Sequence, residues 1–278
     1  MTTIQHQRTK LIYRLPAWLT DTVTPDLDRA MHYTLLWGLE GVELRVVGKP
    51  GERVPFVNEA RLRRRLEEKE LEVAAIVPGM FEGPATDQAM WLNEVAGFDE
   101  VLQFCGRIGC PRVVVSAFAE EEGVSAEALA AEALRRAGNL ASGHGVTLAV
   151  LNEVGMARAT GTAMAALLDA VGHAAVRAAW SPATALQAGE RPDEGLEALR
   201  SHVELVRCAD GLLSEGTWYP TRLGEGAVDW PKQMERLKDI RYRGPFSLEV
   251  HRVPRPLSGL HDATTLIKWI QRWAPPAD

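Results

Sequence analysis

The chain has 278 residues and a formal net charge of −6, with 46% hydrophobic and 24% charged residues. That length suits one large α/β domain as well as two small ones, and the composition excludes extensive disorder. An acidic chain with no isolated basic block is also excluded as a binder of nucleic-acid backbone. Its basic cluster, Arg61 to Arg65, runs straight into Glu67, Glu68 and Glu70 and reads as a solvated helix face. Three cysteines, Cys105, Cys110 and Cys208, include no CxxC pair and make no disulfide framework, which fits a reducing compartment. Met1 to Lys10 is polar, and the apolar stretch after it is broken by Arg14 and Pro16, so no signal peptide is expected. No run approaches the ~18 apolar residues of a membrane span. The expectation is a cytoplasmic protein with no nucleic-acid or membrane partner.

In chain order the short apolar runs are Leu11–Tyr13, Val42–Val47, Leu71–Val77, Val113–Val115, Val146–Leu151, Val176–Trp180, Val203–Cys208 and Phe246–Val250. Each is too short for a helix, and most are continuous rather than alternating, as parallel strands buried on both faces require. Segments of helical period lie between them. Asp26–Trp37 keeps Leu27, Ala30 and Met31 on one side. Asp87 is a candidate cap for the segment running to Ile108, and Ser125 for Ala126–Ala141. Trp230–Asp239 carries Pro231 in its first turn, where a missing N–H costs little. Leu257–Trp273 is stopped by Pro275 and Pro276. Residues 1–9 read as a flexible tail, and no linker divides the rest. Strand–helix alternation in one uninterrupted domain predicts a (β/α)8 TIM barrel. An open doubly wound sheet is weakened by the absence of GxGxxG after any strand.

Active sites of such barrels lie at the carboxyl ends of the strands. The residues expected there include Arg14, Trp18, Glu43, Arg45, Ser116, Asn152, Glu153, Ser181, Arg207, Asp210, Glu249 and His251. Trp18, Phe81, Phe118 and Trp218 either line a ligand pocket or cover barrel hydrophobics. Other motif classes are absent: no GxxxxGK[ST], no HExxH, no GxSxG and no helical histidine pair.

Several stretches resemble the xylose isomerase-like barrels, which include sugar isomerases and epimerases, inositol-catabolism enzymes and related endonucleases. Ser181-Pro182 followed by Ala188-Gly189-Glu190 is similar to the family's Asp-Pro…Ala-Gly-Glu stretch. Leu205 to Asp210 resembles its hydrophobic-His-x-Lys-Asp strand, and Leu223-Gly224-Glu225-Gly226 with Val228-Asp229-Trp230 its Leu-Gly-Glu-Gly…Asp-Trp turn. Tyr242-Arg243-Gly244 and Ser247-Leu248-Glu249 resemble its ending, while Gly41–Leu44 and Gly145–Ala149 resemble its second and fifth strands.

The resemblance implies a divalent metal held by Glu, Asp, His and Glu at the ends of strands five to eight, with the glutamates relaying a proton. Here the strand-six position is Ser181, a weak neutral ligand. The strand-seven position is Arg207, which cannot deprotonate to become a ligand. Strand eight keeps Glu249. On strand five an ungapped count reaches Leu151, and Glu153 follows on the same strand face. The motif lysine is replaced by Ala209. No cofactor is therefore expected, unless Glu153, Glu249 and His251 form a rearranged site for Mn, Mg, Zn or Co.

Two functions follow. One is a divergent barrel that has lost metal-dependent chemistry and binds a small polyhydroxy or carboxylic ligand through Arg14, Trp18, Glu43, Ser181, Asp210, Trp218 and His251. The other is an active aldose–ketose isomerase or epimerase using Glu153 and Glu249 for proton transfer, with Arg207 or a rearranged metal as electrophile. Arg207 then either pairs with Glu249, and with Glu153, to stabilise a metal-free mouth, or polarises a ligand carbonyl. A DNA-cutting relative would need a zinc-ligand cluster and a basic groove, which the sequence lacks. The resemblance also implies a homodimer or homotetramer.

Overall fold

A computed structural model of the protein describes residues 14–48, 52–121 and 126–273. The expected tail, the Leu11–Tyr13 run, Ser125 and the Pro275-Pro276 stop lie outside the described residues. Seven strands, β1 (Pro16–Trp18), β2 (Gly41–Leu44), β3 (Glu72–Ile76), β4 (Arg112–Val115), β5 (Thr147–Leu151), β6 (Val176–Trp180) and β7 (Val203–Cys208), are followed by an antiparallel hairpin, β8 (Gly211–Ser214) and β9 (Thr217–Pro220), and then by β10 (Phe246–Leu248). All but the hairpin strands form one parallel sheet in the order β1-β10-β7-β6-β5-β4-β3-β2. The seam between β1 and β2 is drawn together by the Glu40 N–H donating to the Pro16 carbonyl at 3.1 Å and by a parallel bridge between Leu19 and Glu43. The result is a TIM barrel whose eighth strand is β10.

Nine helices among the described residues surround it: α1 (Leu27–Leu36), α2 (Glu59–Lys69), α3 (Gln88–Ile108), α4 (Glu127–Gly143), α5 (Gly161–Val171), α6 (Pro182–Gln187), α7 (Pro192–Ala198), α8 (Trp230–Asp239) and α9 (Arg255–Trp273). Short polar caps set their starts. Asp26, Asn58, Asp87, Thr160, Ser181 and Asp229 each accept a main-chain N–H from the first turn that follows. No helix among the described residues is long and apolar enough to cross a membrane.

The buried residues form two layers. The outer one, between sheet and helices, holds large side chains such as Trp18, Trp91, Phe104, Trp180 and Trp230. The inner one, along the barrel axis, is small: Ala75, Val114, Ala149, Leu151, Ala179 and Leu205, with Ala17 and Ala74 beside Leu15. Alanines where barrels usually carry Val, Ile or Leu leave axial room for long side chains from neighbouring strands.

The first strand is displaced from its expected position, and this corrects two site assignments. β1 begins at Pro16, a residue tolerated at a strand start because it need not donate there. Arg14 therefore precedes the strand, at the amino end of the barrel. Its Nε donates to the Tyr242 carbonyl at 3.1 Å, and its guanidinium lies 4.0 Å over the Trp273 ring. Trp18 is a strand residue turned outward. Its Nε1 donates to Thr34 Oγ1 at 2.8 Å, and its ring meets Trp37 edge-on at 4.6 Å.

The Ala188-Gly189-Glu190 stretch has a packing role. The Glu190 carboxylate accepts the N–H groups of Gly161 at 2.6 Å and Thr162 at 3.0 Å, capping α5 from the next βα unit. Glu190→Ala should lower unfolding free energy by ~1–2 kcal/mol, read from denaturant midpoints, because it strands these N–H groups.

Candidate functional site

The inward-facing residues of β2, β7 and β10 meet inside the carboxyl end of the barrel. Arg207, on β7, has a side chain only 3% exposed, and Glu43, on β2, is fully buried. Arg207 Nη2 donates to Glu43 Oε1, and Nη1 donates to Glu249 Oε1 at 2.5 Å. Ser247 Oγ donates to the other Glu43 oxygen at 2.6 Å. The register explains the convergence. Ser247 on β10 pairs with Arg207 on β7, so both lie at one level, and Glu249 follows two residues higher on the same face. Glu43 comes from three strands around the barrel and reaches Arg207 through space left by the inner alanines.

Isolated, any of these charges would be costly to bury, and together they compensate. Burial alone would lower the Arg207 pKa, but the charges of Glu43 and Glu249 hold it above its ordinary value. Burial alone would likewise raise the Glu249 carboxyl. The Arg207 charge and the hydrogen bond to His251 outweigh that and hold it at about 2. His251 Nε2 stands 3.4 Å from Glu249 Oε2 and is exposed, whereas Glu249 is 19% exposed. Next to the cluster on β7, Cys208 is fully enclosed, and burial raises its thiol well above the ordinary range, so it is unreactive there.

Glu153 lies apart from this cluster. It accepts from Ser116 Oγ at 3.3 Å, and the salt bridges of Arg207 run to Glu43 and Glu249. Ser181 ends β6 as the cap of α6, accepting the Thr184 N–H at 3.3 Å. Asn152 holds it in place, accepting the Ser181 N–H at 2.7 Å and donating to its carbonyl at 2.9 Å. Asp210 follows β7, but its carboxylate accepts four main-chain N–H groups, from Gly211, Gly224, Gly226 and Val228, at 2.9–3.2 Å. It ties the hairpin and the Leu223–Gly226 turn to the end of β7. Gly226 is required there, because a Cβ would lie 2.1 Å from Asp210 Oδ1. Arg45 pairs with Asp21 at 2.8 Å.

The expected aromatic lining divides. Phe81 and Phe118 are fully enclosed in the core with ring centroids 5.1 Å apart, both in the left-handed region at φ 59° and 64°. Trp218 is half-buried on β9, its indole over Gly211. Ser247 was not singled out from sequence. Its signal was its parity with Glu249 on one strand face, two residues away. Among the described residues, no group of three or more His, Cys, Asp or Glu is arranged to hold a metal ion.

A family model described as xylose isomerase-like TIM barrel matches residues 34–273, and the chain belongs to that family. Among solved structures, a xylose isomerase domain protein from Planctomyces limnophilus is 17% identical with a TM-score of 0.73, over 94% of this chain and 97% of its own. L-ribulose 3-epimerase is 15% identical with a TM-score of 0.78, over 94% and 96%. The IOLI protein, crystallised with a zinc atom, is 14% identical with a TM-score of 0.79, over 94% and 99%. At these identities the likeness is one of fold. No curated protein matches the chain.

The cluster has a pH signature. A carboxyl whose folded pKa is depressed stabilises the protein above its unfolded value and loses that contribution as pH falls toward the folded one. For Glu249 the window runs from the ordinary 4.5 down to about 2. Wild type should lose up to ~3 kcal/mol more across this window than Glu249→Gln, read from urea midpoints between about pH 5 and pH 2.

Proposed function

We propose that the carboxyl-end mouth binds a small polyhydroxy ligand, and that Arg207, clamped by Glu43 and Glu249, takes the place a divalent ion has in relatives of this barrel. The carrying observation is the double ion pair of one buried guanidinium. It engages one N–H on each terminal nitrogen of Arg207, and with the side chain only 3% exposed the guanidinium is enclosed between the two carboxylates rather than open to a carboxylic ligand or a carbonyl. The groups that remain accessible are Glu249, Glu153 and His251, with Ser116 beside Glu153. Carboxylates accept hydrogen bonds from hydroxyls and repel an anionic ligand, so a neutral polyol or sugar suits the mouth better than an acid.

The residues do not fit a divalent ion. At the four positions the resemblance assigns to metal ligands stand Leu151, Ser181, Arg207 and Glu249. The set therefore offers one carboxylate, one hydroxyl already capping a helix, one apolar group and one cation. A hard divalent ion needs several oxygen or nitrogen donors without a fixed positive charge among them. The zinc of the IOLI structure is a property of that protein.

Proton relay through Glu249 has little support. A general base works best with a pKa near the working pH, and Glu249 at about 2 is a weak one. The reading is therefore one of binding within an isomerase- and epimerase-type fold.

The test is ligand-observed NMR of the full chain with a panel of free pentoses and hexoses, in the presence of a chelator. Saturable binding is expected, with Glu153→Gln and His251→Ala each weakening it by about tenfold, the loss of one or two good hydrogen bonds. Thermal midpoints of both variants should stay close to wild type. Binding that appears only on adding a divalent metal, or that ignores both substitutions, would overturn the proposal.

A further inference from the structure

The amino-terminal end of the barrel, opposite the mouth, carries a cavity of about 400 Å³. Its charged lining is Arg112 at the start of β4, Arg177 near the start of β6, Arg200, Glu204 near the start of β7, and Arg241 and Arg243 in the turn between α8 and β10. In a chain of net charge −6, five arginines against one glutamate is a strong local reversal. The glutamate is also spent, since Glu204 accepts from Arg112 Nε at 2.7 Å. Arg200 has a surface partner, Glu197, at 3.2 Å. Among the described residues Arg177, Arg241 and Arg243 have no acidic partner. Arg177 is half-buried, so its charge is held at the cavity rather than spread into solvent.

Two further features mark this rim, one electrostatic and one in the backbone. Arg14 stands next to this rim, and its guanidinium is lowered from its ordinary value by burial and then by the charge of Arg243. Arg241 follows the end of α8 at φ 55°, with the Tyr242 N–H closing onto the Leu237 carbonyl. That left-handed helix-ending position ordinarily belongs to glycine or asparagine, so the arginine side chain is kept there at a conformational cost.

We propose that this cavity is a second ligand site, for a phosphate-bearing anion. Several guanidiniums converging on one concave space can each present two parallel N–H donors to phosphate oxygens. The volume falls in the range of small-molecule sites, which separates it from a flat basic stripe that would track a nucleic-acid backbone. It lies at the barrel end that carries strand starts, distinct from the acidic mouth, and its occupant need not be the ligand of that mouth.

The experiment is calorimetric titration of the full chain with inorganic phosphate, pyrophosphate and glucose 6-phosphate, at an ionic strength fixed with sodium chloride. Saturable one-to-one binding of at least one of these is expected. Tightest binding of pyrophosphate would identify the phosphate groups themselves as the recognised chemistry, and tightest binding of glucose 6-phosphate a phosphorylated metabolite. Arg177→Gln and Arg243→Gln should each weaken binding at least about tenfold, as loss of a charge-assisted contact does, and Arg61→Gln, on the distant α2 face, should not. Arg243 is exposed, so its variant reads the site even if Arg177→Gln fails to fold. Absence of saturable heat with all three anions, or equal binding by Arg243→Gln and wild type, would overturn the proposal.

Discussion

Arg207 lies inside the barrel with its guanidinium shared between Glu43 and Glu249. Much of the carboxyl end depends on that pairing. A buried charge of this kind is tolerable only if its partners are fixed, and here they come from β2 and from the end of β10. Glu43 in turn holds Ser247, so three strands and the seam beside β1 are tied at one level. The arrangement also locks register. A slip of one residue in β7 would carry Arg207 into the outer layer of tryptophans and leave two carboxylates buried without a cation.

The same cluster defines what the mouth can do. A cation enclosed by two carboxylates leaves Glu249, Glu153 and His251 as the polar groups of the rim. The loops around it are held by residues that serve the backbone. Asp210 gathers four N–H groups, Asp262 accepts the Leu223 N–H at 3.1 Å, and Asn152 pins Ser181. Thus several polar residues at strand ends organise the rim without facing it. The opposite end of the barrel reverses the charge, with arginines concentrated where β4, β6 and β7 begin. The acidic mouth and basic base place opposite charge at the two ends of one scaffold.

Much of the fold was legible because parallel strands buried on both faces write themselves as unbroken apolar runs. Val176–Trp180 and Val203–Cys208 are strands with those same bounds. The cap Asp87 was legible for a similarly local reason. β1 was not. Pro16-Ala17-Trp18 is too short and too unlike a Val-rich run, and its pairing with β10 is fixed by residues some 230 positions away. The hairpin β8–β9 was missed because Leu212 and Leu213 are exposed on it, so its pattern is that of neither core strand nor helix. At the site, inward parity made Arg207 and Glu249 legible as neighbours. The partnership with Glu43 was not, since it spans 164 residues and requires a barrel interior narrow in side-chain volume. The roles of Asp210 and Ser181 were hidden because a carboxylate or hydroxyl at a strand end looks the same in sequence whether it meets ligand or backbone.

The most direct measurement is elemental mass spectrometry of the purified protein, followed by calorimetric titration with manganese, magnesium, zinc and cobalt. With Arg207 clamped between Glu43 and Glu249, no stoichiometric ion and no saturable heat are expected. A stoichiometric ion that is lost in Glu249→Gln would contradict the assignment of Arg207 as the fixed positive charge of the mouth.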